Sequence, residues 1–346
     1  MMPEQLQQLF EKIYQGISLT RDEMSQIFSA IISGQIDEVS LAGMLTALKV
    51  KGETVAEICG AADASLAVAK PFPYRSTDFG NSGIVDLVGT GGDGFNTINI
   101  STTSTFVAAA AGCKVAKHGS RSVSSKSGAS DVLSHLGVDL TMAPALASQS
   151  LAENGICFLF APHYHSGFKH AVPVRQALKT RTIFNILGPL VNPARPSFML
   201  LGVYSPKLVQ PIASVLKEMG VKRALVVHGS GMDEIAVHGD TQITELKEGE
   251  LRHYTLSPAD FGISTHSADD LVGGTPADNA EATRNILSGQ GKPAHIDAVA
   301  VNAGAAIYLS GLADSLKVAT SIAKEIMNSG KGLEKFKQLA AIGEVK

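Results

Sequence analysis

An α/β protein is predicted, with a small N-terminal α-helical domain and a larger α/β domain built on a mostly parallel central sheet. Three observations carry this expectation. Apolar residues recur with helical period through the first seventy positions. From Ile84 onward, short apolar runs alternate with helical stretches, the order that gives parallel strands joined by crossover helices. Glycine and serine clusters follow the first two of those runs, as loops at strand ends do. A chain of 346 residues, at about 150 residues per domain, accommodates roughly two domains.

The elements follow in order. Leu6, Leu9, Phe10, Ile13 and Tyr14 form one apolar stripe of a first helix. Thr20 with Glu23 is a capping-box pair ahead of Met24, Ile27, Phe28, Ile31 and Ile32, and Gly34 supplies a stop. Ser40 is expected to cap a third helix carrying Leu41, Met44, Leu45 and Leu48. Thr54 with Glu57 repeats the capping box before Ile58, Ala61, Ala62 and Leu66, and Pro71 and Pro73 end the helical unit. Residues 84–88 read as a strand, 101–111 as a helix, 114–117 as a second strand and 130–136 as a helix. Residues 156–160 and 224–227 are further strand candidates. The stretch 167–178 reads as an interrupted helix, and 182–193 is rich in turn residues. Polar–apolar alternation over 235–256 predicts antiparallel edge strands. Residues 276–309 and the tail from 333 read as helical.

Composition excludes several classes. Hydrophobic residues are 45% and charged residues 18%, a globular balance, and the net charge of −3 excludes a polybasic coat or an acidic tail as the main identity. Trp is absent and aromatics are 5%, which argues against stacking platforms for single-stranded nucleic acid. Cys59, Cys113 and Cys157 have neither zinc spacing nor an even disulfide set. No apolar run reaches the ~18 residues of a membrane span, and the polar N-terminus is unlike a signal peptide. A reducing cytoplasm is expected.

Gly89-Thr-Gly-Gly-Asp-Gly94 matches GxGxxG after a strand, the dinucleotide pattern. That pattern also calls for an acid about 20 residues later, whereas the next acid after Asp93 is Asp131. Residues 94–130 instead hold Lys114, Lys117, Arg121 and Lys126 with no Asp or Glu, a local +4 surrounded by hydroxyls. Free backbone N–H groups at a helix N-terminus, cations and hydroxyls together suit a polyphosphate. A flexible loop with solvated lysines is the alternative for either segment alone. GxxxxGK[ST] is missing, which argues against ATP in a P-loop. Asp233-Glu234 after a glycine loop suits Mg²⁺, a hard cation that takes few carboxylates and keeps waters and phosphates. A pair of solvated acids is the competing reading. Arg175 offers a planar fork for a carboxylate, or for a helix-surface salt bridge. His163, His165 and His170 match no standard metal spacing and are expected to be structural or to line a substrate site.

Several segments in order give a specific resemblance: Gly89–Asp93, Asn99–Thr102, Lys117-His-Gly-Ser-Arg-Ser-Val-Ser-Ser125, Val172–Arg175, Arg181–Leu190 and Met232–Glu234. Together they resemble the anthranilate phosphoribosyltransferase family through nearly the whole chain. The resemblance implies a nucleoside phosphorylase/phosphoribosyltransferase class IV-like fold. It places a helical domain over 1–73, with a return segment at about 167–190, and an α/β domain over 80–166 and 191–346. It implies transfer of a phosphoribosyl group from phosphoribosyl pyrophosphate to anthranilate in tryptophan biosynthesis, with Mg²⁺, two ions in number, and a homodimer formed through the helical domain. Phosphoribosyl pyrophosphate would then meet Gly89, Gly92, Asp93, Thr97, Asn99, Ile100, Ser101, Thr102, Lys117, His118, Gly119, Ser120, Arg121, Ser122, Val123, Ser124, Ser125 and Ala129. Gly89, Ser120 and Arg175 would meet anthranilate. Ser101, Asp233 and Glu234 would hold the metal. His118 is the one nominee for a catalytic base. The family loop reads Lys-His-Gly-Asn-Arg, and here its fourth residue is Ser120, a single short hydroxyl in place of a longer amide. Weaker aromatic-amine binding or an altered acceptor would follow. His165-Ser-Gly-Phe168 is a smaller departure, expected to touch the wall of the substrate channel. Two other readings compete: a pyrimidine nucleoside phosphorylase-like enzyme and a non-catalytic nucleic-acid-binding relative.

Overall fold

The computed structural model describes residues 3–75, 78–80, 83–121 and 127–342. Four helices open the chain: α1 (Glu4–Tyr14), α2 (Arg21–Ile32), α3 (Glu38–Lys51) and α4 (Val55–Ala67). Then come β1 (Val85–Gly89), α5 (Ile100–Ala110), β2 (Val115–Gly119), α6 (Ala129–His135), α7 (Pro144–Asn154), β3 (Ile156–Phe160) and the single turn α8 (Ala161–Tyr164). A 3-10 turn over Ser166–Ala171 leads into α9 (Val172–Leu178) and α10 (Phe184–Leu187). The remainder is β4 (Phe198–Gly202), α11 (Val209–Glu218), β5 (Arg223–Gly229), β6 (Thr241–Lys247), β7 (Glu250–Leu256), α12 (Pro276–Leu287), α13 (Pro293–Leu309), α14 (Leu316–Asn328) and α15 (Lys331–Ile342).

Local chemistry explains the helical unit. Both capping boxes form, Thr20 with Glu23 and Thr54 with Glu57. Glu57 does more than cap: fully buried, it also accepts from Leu19 N at 2.9 Å and from Lys51 Nζ at 2.8 Å, tying α4 to α3 and to the linker ahead of α2. The third helix departs from expectation. Asp37, not Ser40, caps it, its Oδ1 accepting from Ser40 N at 2.9 Å, so the helix starts at Glu38. A carboxylate three residues ahead of a free N–H serves as well as a hydroxyl at that position.

The seven strands run in the order β3-β2-β1-β4-β5-β6-β7. The first five are parallel, and β6 and β7 are the antiparallel edge predicted from alternation. Both faces of the parallel part are covered, which explains why those strands read as unbroken apolar runs. Leu200, Leu225 and Val227 face α5 and α13. Met199, Leu201, Ala224 and Val226 face α11 and the helical unit. Helix α13 lies in the middle of the first layer, where all of its residues except Pro293, Ile296 and Tyr308 are buried. Its sequence is largely apolar all round, as a core helix must be.

Five elements carry no sequence expectation: β4, α7, α8, α11 and α14. The signal for β4 is a four-residue apolar run between Pro196 and Gly202; for α11 it is Val209, Ile212, Ala213, Val215 and Leu216 at helical spacing. The stretch expected as one helix over 276–309 is two. Gly289 turns with φ +75°, and Pro293 then begins α13. Strand β2 extends beyond its expected end to Gly119, so His118 is a strand residue rather than a loop residue.

Among the described residues, no helix is long and apolar enough to cross a membrane.

Candidate active site

The chain runs outward from β1 to β2 and β3, then returns to β4 on the other side of β1. The C-terminal ends of β1 and β4 therefore flank a topological switch point, where open α/β sheets bind ligands. Gly89 and Gly202 are paired in register there, and the turn Met232–Glu234 lies directly across them. A Cβ on Gly202 would stand 1.6 Å from the Asp233 carbonyl oxygen, and one on Gly89 would stand 2.3 Å from Asp233 Oδ2. Only glycine at both strand ends lets the carboxylate turn come this close.

That turn is built into the glycine loop. Asp233 Oδ2 accepts from Gly91 N at 2.5 Å, and Asp93 Oδ2 accepts from Asp233 N at 3.4 Å. Glu234 Oε1 accepts from Ser101 N at 3.1 Å and from the Ser101 hydroxyl. The carboxylate thus sits on the first free N–H groups of α5, where the helix dipole favours negative charge. Burial and the neighbouring carboxylates of Asp93 and Glu234 push Asp233 well above the usual carboxylate range. Burial, only partly relieved by Ser101 and Lys117, pushes Glu234 up to about 7. Acids that resist ionisation when bare call for a cation. Among the described residues, no three His, Cys, Asp or Glu groups converge as a closed metal cage. An open pair of hard oxygen donors with a hydroxyl beside them fits Mg²⁺, which draws its other ligands from water and phosphate.

Lys117 is buried on β2, its Nζ donating to Leu87 O at 2.6 Å. Burial lowers its pKa, opposed by Asp86, Glu234 and Asp233. His118 Nδ1 lies 3.1 Å from Gly188 O, a contact that only a protonated Nδ1 satisfies. Its Nε2 therefore carries the lone pair, and it has no hydrogen-bond partner among the described residues. Burial, together with the nearby His165, lowers His118 to about 3, so the ring is neutral. Lys114 takes no part in the loop: it precedes the N-terminal end of β2, and its Nζ donates to Ala152 O of α7 at 2.9 Å. Lys126 lies outside the described residues.

Arg175, in α9, faces the same space. Among the described residues, no carboxylate lies within ion-pair distance of it. Its guanidinium stands 5.4 Å over the Phe184 ring. The helix-surface salt bridge is thereby excluded for the described part of the chain. The ring of Phe168 meets Phe184 edge-on and stacks on His165, whose Nε2 lies 2.7 Å from Val191 O. His163 instead meets Lys70, and His170 packs over Gly34.

These groups enclose one cavity of about 580 Å³. Every site residue assigned by the resemblance lines it except Ser122, Val123, Ser124 and Ser125, which lie outside the described residues. Phe168 is on its wall, as expected, and sequence reasoning missed Phe184 and Asn185 beside it. It also missed a fastening: Arg181 donates to Gly92 O and lies 4.2 Å over the Tyr204 ring, pinning the glycine loop from outside. The Arg181 signal was present in the sequence, as a cation beside a turn-rich block, but nothing there names its partner.

A phosphate-friendly loop at a switch point, an acidic turn opposite it and a wall drawn from residues 161–191 suit a phosphorylated substrate, and the family models give the class, a transferase of glycosyl groups. The glycosyl transferase family helical bundle domain matches residues 7–69, and its a/b domain matches residues 81–333. Anthranilate phosphoribosyltransferase of Shewanella sp. (strain MR-4) is 62% identical over 337 residues, 97% of each chain. The crystal structure of the enzyme of that name from Thermus thermophilus superposes with a TM-score of 0.90 at 38% identity, covering 97% of this chain and 99% of that one. The Saccharomyces cerevisiae enzyme in complex with PRPP and Mg gives 0.89 at 27% identity over 99% of both chains. The chain belongs to the anthranilate phosphoribosyltransferase family.

Proposed function

We propose that this protein transfers the phosphoribosyl group of phosphoribosyl pyrophosphate to the amine of anthranilate, giving N-(5-phosphoribosyl)anthranilate and pyrophosphate, in tryptophan biosynthesis. The observation that carries this reading is the single cavity on which the glycine loop, Lys117, the Asp233-Glu234 turn and Arg175 all converge. The relatives do not favour a pyrimidine nucleoside phosphorylase or a nucleic-acid-binding protein.

In the reaction the ribose C1–O bond to pyrophosphate breaks, a C1–N bond forms, and the amine loses a proton. The glycine loop, Asn99–Thr102 and the loop from Lys117 to Ser125 would hold the phosphates, as their N–H, hydroxyl and cationic donors suit. Ser101, Asp233 and Glu234 would hold Mg²⁺, which when bound supplies neutralisation of the leaving pyrophosphate. Two ions are proposed. Arg175 would take the anthranilate carboxylate as a fork, with Gly89 and Ser120 at its side. The free Nε2 of His118 would accept a hydrogen bond from the amine. A ring held near pKa 3 is too weak a base to ionise an aryl amine beforehand. Proton loss then follows C–N bond formation, and His118 serves to orient.

The domain division proposed is 1–73 with 167–190, and 80–166 with 191–346; its support is that Ser166–Ala171 packs on α2 and α9 packs on α3. A second copy is proposed to cover the helical unit at the groove between α1 and α3, where Tyr14 and Val50 are exposed. The mass in solution tests this. Three unpaired buried cysteines are in keeping with the cytoplasm as the compartment.

The test is loss of anthranilate fluorescence with phosphoribosyl pyrophosphate and Mg²⁺. Wild-type decay is expected, with Arg175→Ala raising the KM for anthranilate roughly a hundredfold and leaving the KM for phosphoribosyl pyrophosphate unchanged. Ser120→Asn is expected to lower the KM for anthranilate several-fold. Absence of decay in the wild type and in Ser120→Asn sinks the acceptor assignment.

A further inference from the structure

From Asn279, which is outside every group assigned above, a chain of side-chain amides reaches the cavity wall at Asn99 and links three segments. Asn279 stands in the first turn of α12 and is 1% exposed. Its Oδ1 accepts from Gly274 N at 2.8 Å. Its Nδ2 donates to Asn99 Oδ1 at 2.7 Å and to Thr97 O at 3.4 Å. Asn99 in turn donates from Nδ2 to Ser127 O at 3.2 Å and accepts from the Ser127 hydroxyl at 3.4 Å. The backbone alongside is clamped. Ile98 N donates to Leu271 O at 3.0 Å and Gly273 N to Asn96 O at 2.8 Å.

An amide has two distinguishable ends, and here their order is forced. Only Oδ1 of Asn279 can receive the Gly274 N–H, so its Nδ2 must face Asn99. Asn99 must then answer with Oδ1, which leaves its Nδ2 for the Ser127 carbonyl. The direction set at 279 passes through 99 to Ser127.

We propose that Asn279 is a positioning residue for phosphoribosyl pyrophosphate, holding Thr97 and Asn99, in the loop after β1, and Ser127, in the loop after β2, in one fixed relation. The role rests on the reading of those two loops as the polyphosphate site.

Asn279→Asp keeps the size of the side chain and the acceptor for Gly274, but removes the donor. Asn99 then turns its Nδ2 to the new carboxylate and presents Oδ1 to the Ser127 carbonyl oxygen, an acceptor against an acceptor. Calorimetry with phosphoribosyl pyrophosphate and Mg²⁺ is expected to give a Kd roughly tenfold weaker than wild type. The KM for anthranilate stays unchanged. Asn99→Ala combined with Asn279→Asp should bind no more weakly than Asn99→Ala alone, because the two act through one path. Asn279→Ser, smaller and uncharged, gives the same selective loss and serves if the acidic variant does not fold. Wild-type binding together with variants that lower Tm yet keep the Kd, or with strictly additive losses in the double variant, overturns the positioning role alone. Failure of the wild type to bind overturns the parent reading and this role with it.

Discussion

Replacing Asp233 by Asn and Glu234 by Gln together is expected to reduce Mg²⁺-dependent turnover by roughly a thousandfold or more, since the proposed role of the pair is to hold the ion that neutralises the leaving group. Fluorescence decay of anthranilate measures it, and unchanged turnover sinks the metal assignment. The same substitution has an opposite effect on the metal-free fold. Glu234 is raised from 4.5 to about 7, so the folded state holds a proton that the unfolded state has released. Below pH 4.5 both states are protonated and the residue costs nothing. As pH rises through 4.5 to 7 stability falls, and above 7 the full penalty applies, on the order of 3 kcal/mol at most. Without Mg²⁺, the variant should therefore melt higher than wild type at about pH 8 and alike at about pH 4. Adding Mg²⁺ at the higher pH should raise the Tm of the wild type only, by mass action.

Gly202→Ala is expected to be the most damaging change at a position that never faces the substrate. The added carbon would sit 1.6 Å from the Asp233 carbonyl oxygen and 2.3 Å from its carbonyl carbon. Both are backbone atoms, so no side-chain rotation relieves the clash and the whole turn must lift. A loss of about 3 kcal/mol in stability, read as a Tm several degrees lower, is expected. The Mg²⁺ concentration for half-maximal rate should rise in the same variant, because Asp233 and Glu234 move with the turn. Gly89→Ala is milder, since its nearest neighbours there are the Asp233 carboxylate atoms, which can shift. A Gly202→Ala protein with wild-type Tm and Mg²⁺ response contradicts the close-approach argument.

The legible parts of the sequence were those with strong local chemistry. The capping boxes at Thr20 and Thr54 and the strand 156–160 stand where expected because their signals are complete within a few residues. The site was legible as motifs: Lys117 and Arg121, the Asp233-Glu234 pair and Arg175 all reach the cavity. Strand β4 went unread, although it supplies the second half of the switch point, because a short run between turn formers looks like a loop until a neighbour pairs with it. The Asn279–Asn99 contact spans 180 positions and has no pattern at either end. A lone Asn near a helix start reads only as a local polar group. Phe184 likewise reads as an ordinary core residue, since nothing local distinguishes a wall from an interior.

The central place of α13 has a consequence for how the chain is made. The helix covers the β1, β4 and β5 face of the sheet, yet β1 ends at Gly89 and α13 is complete only at Leu309. At translation rates of roughly 5–20 residues per second, the β1 part of that face waits on the order of ten to forty seconds for α13, with only α5 beside it, and the later β4 and β5 parts wait less. The nascent chain therefore emerges with its glycine and serine loops already synthesised but no closed core beneath them. A holding chaperone has its natural target in that interval, on a sheet face that the finished protein never displays.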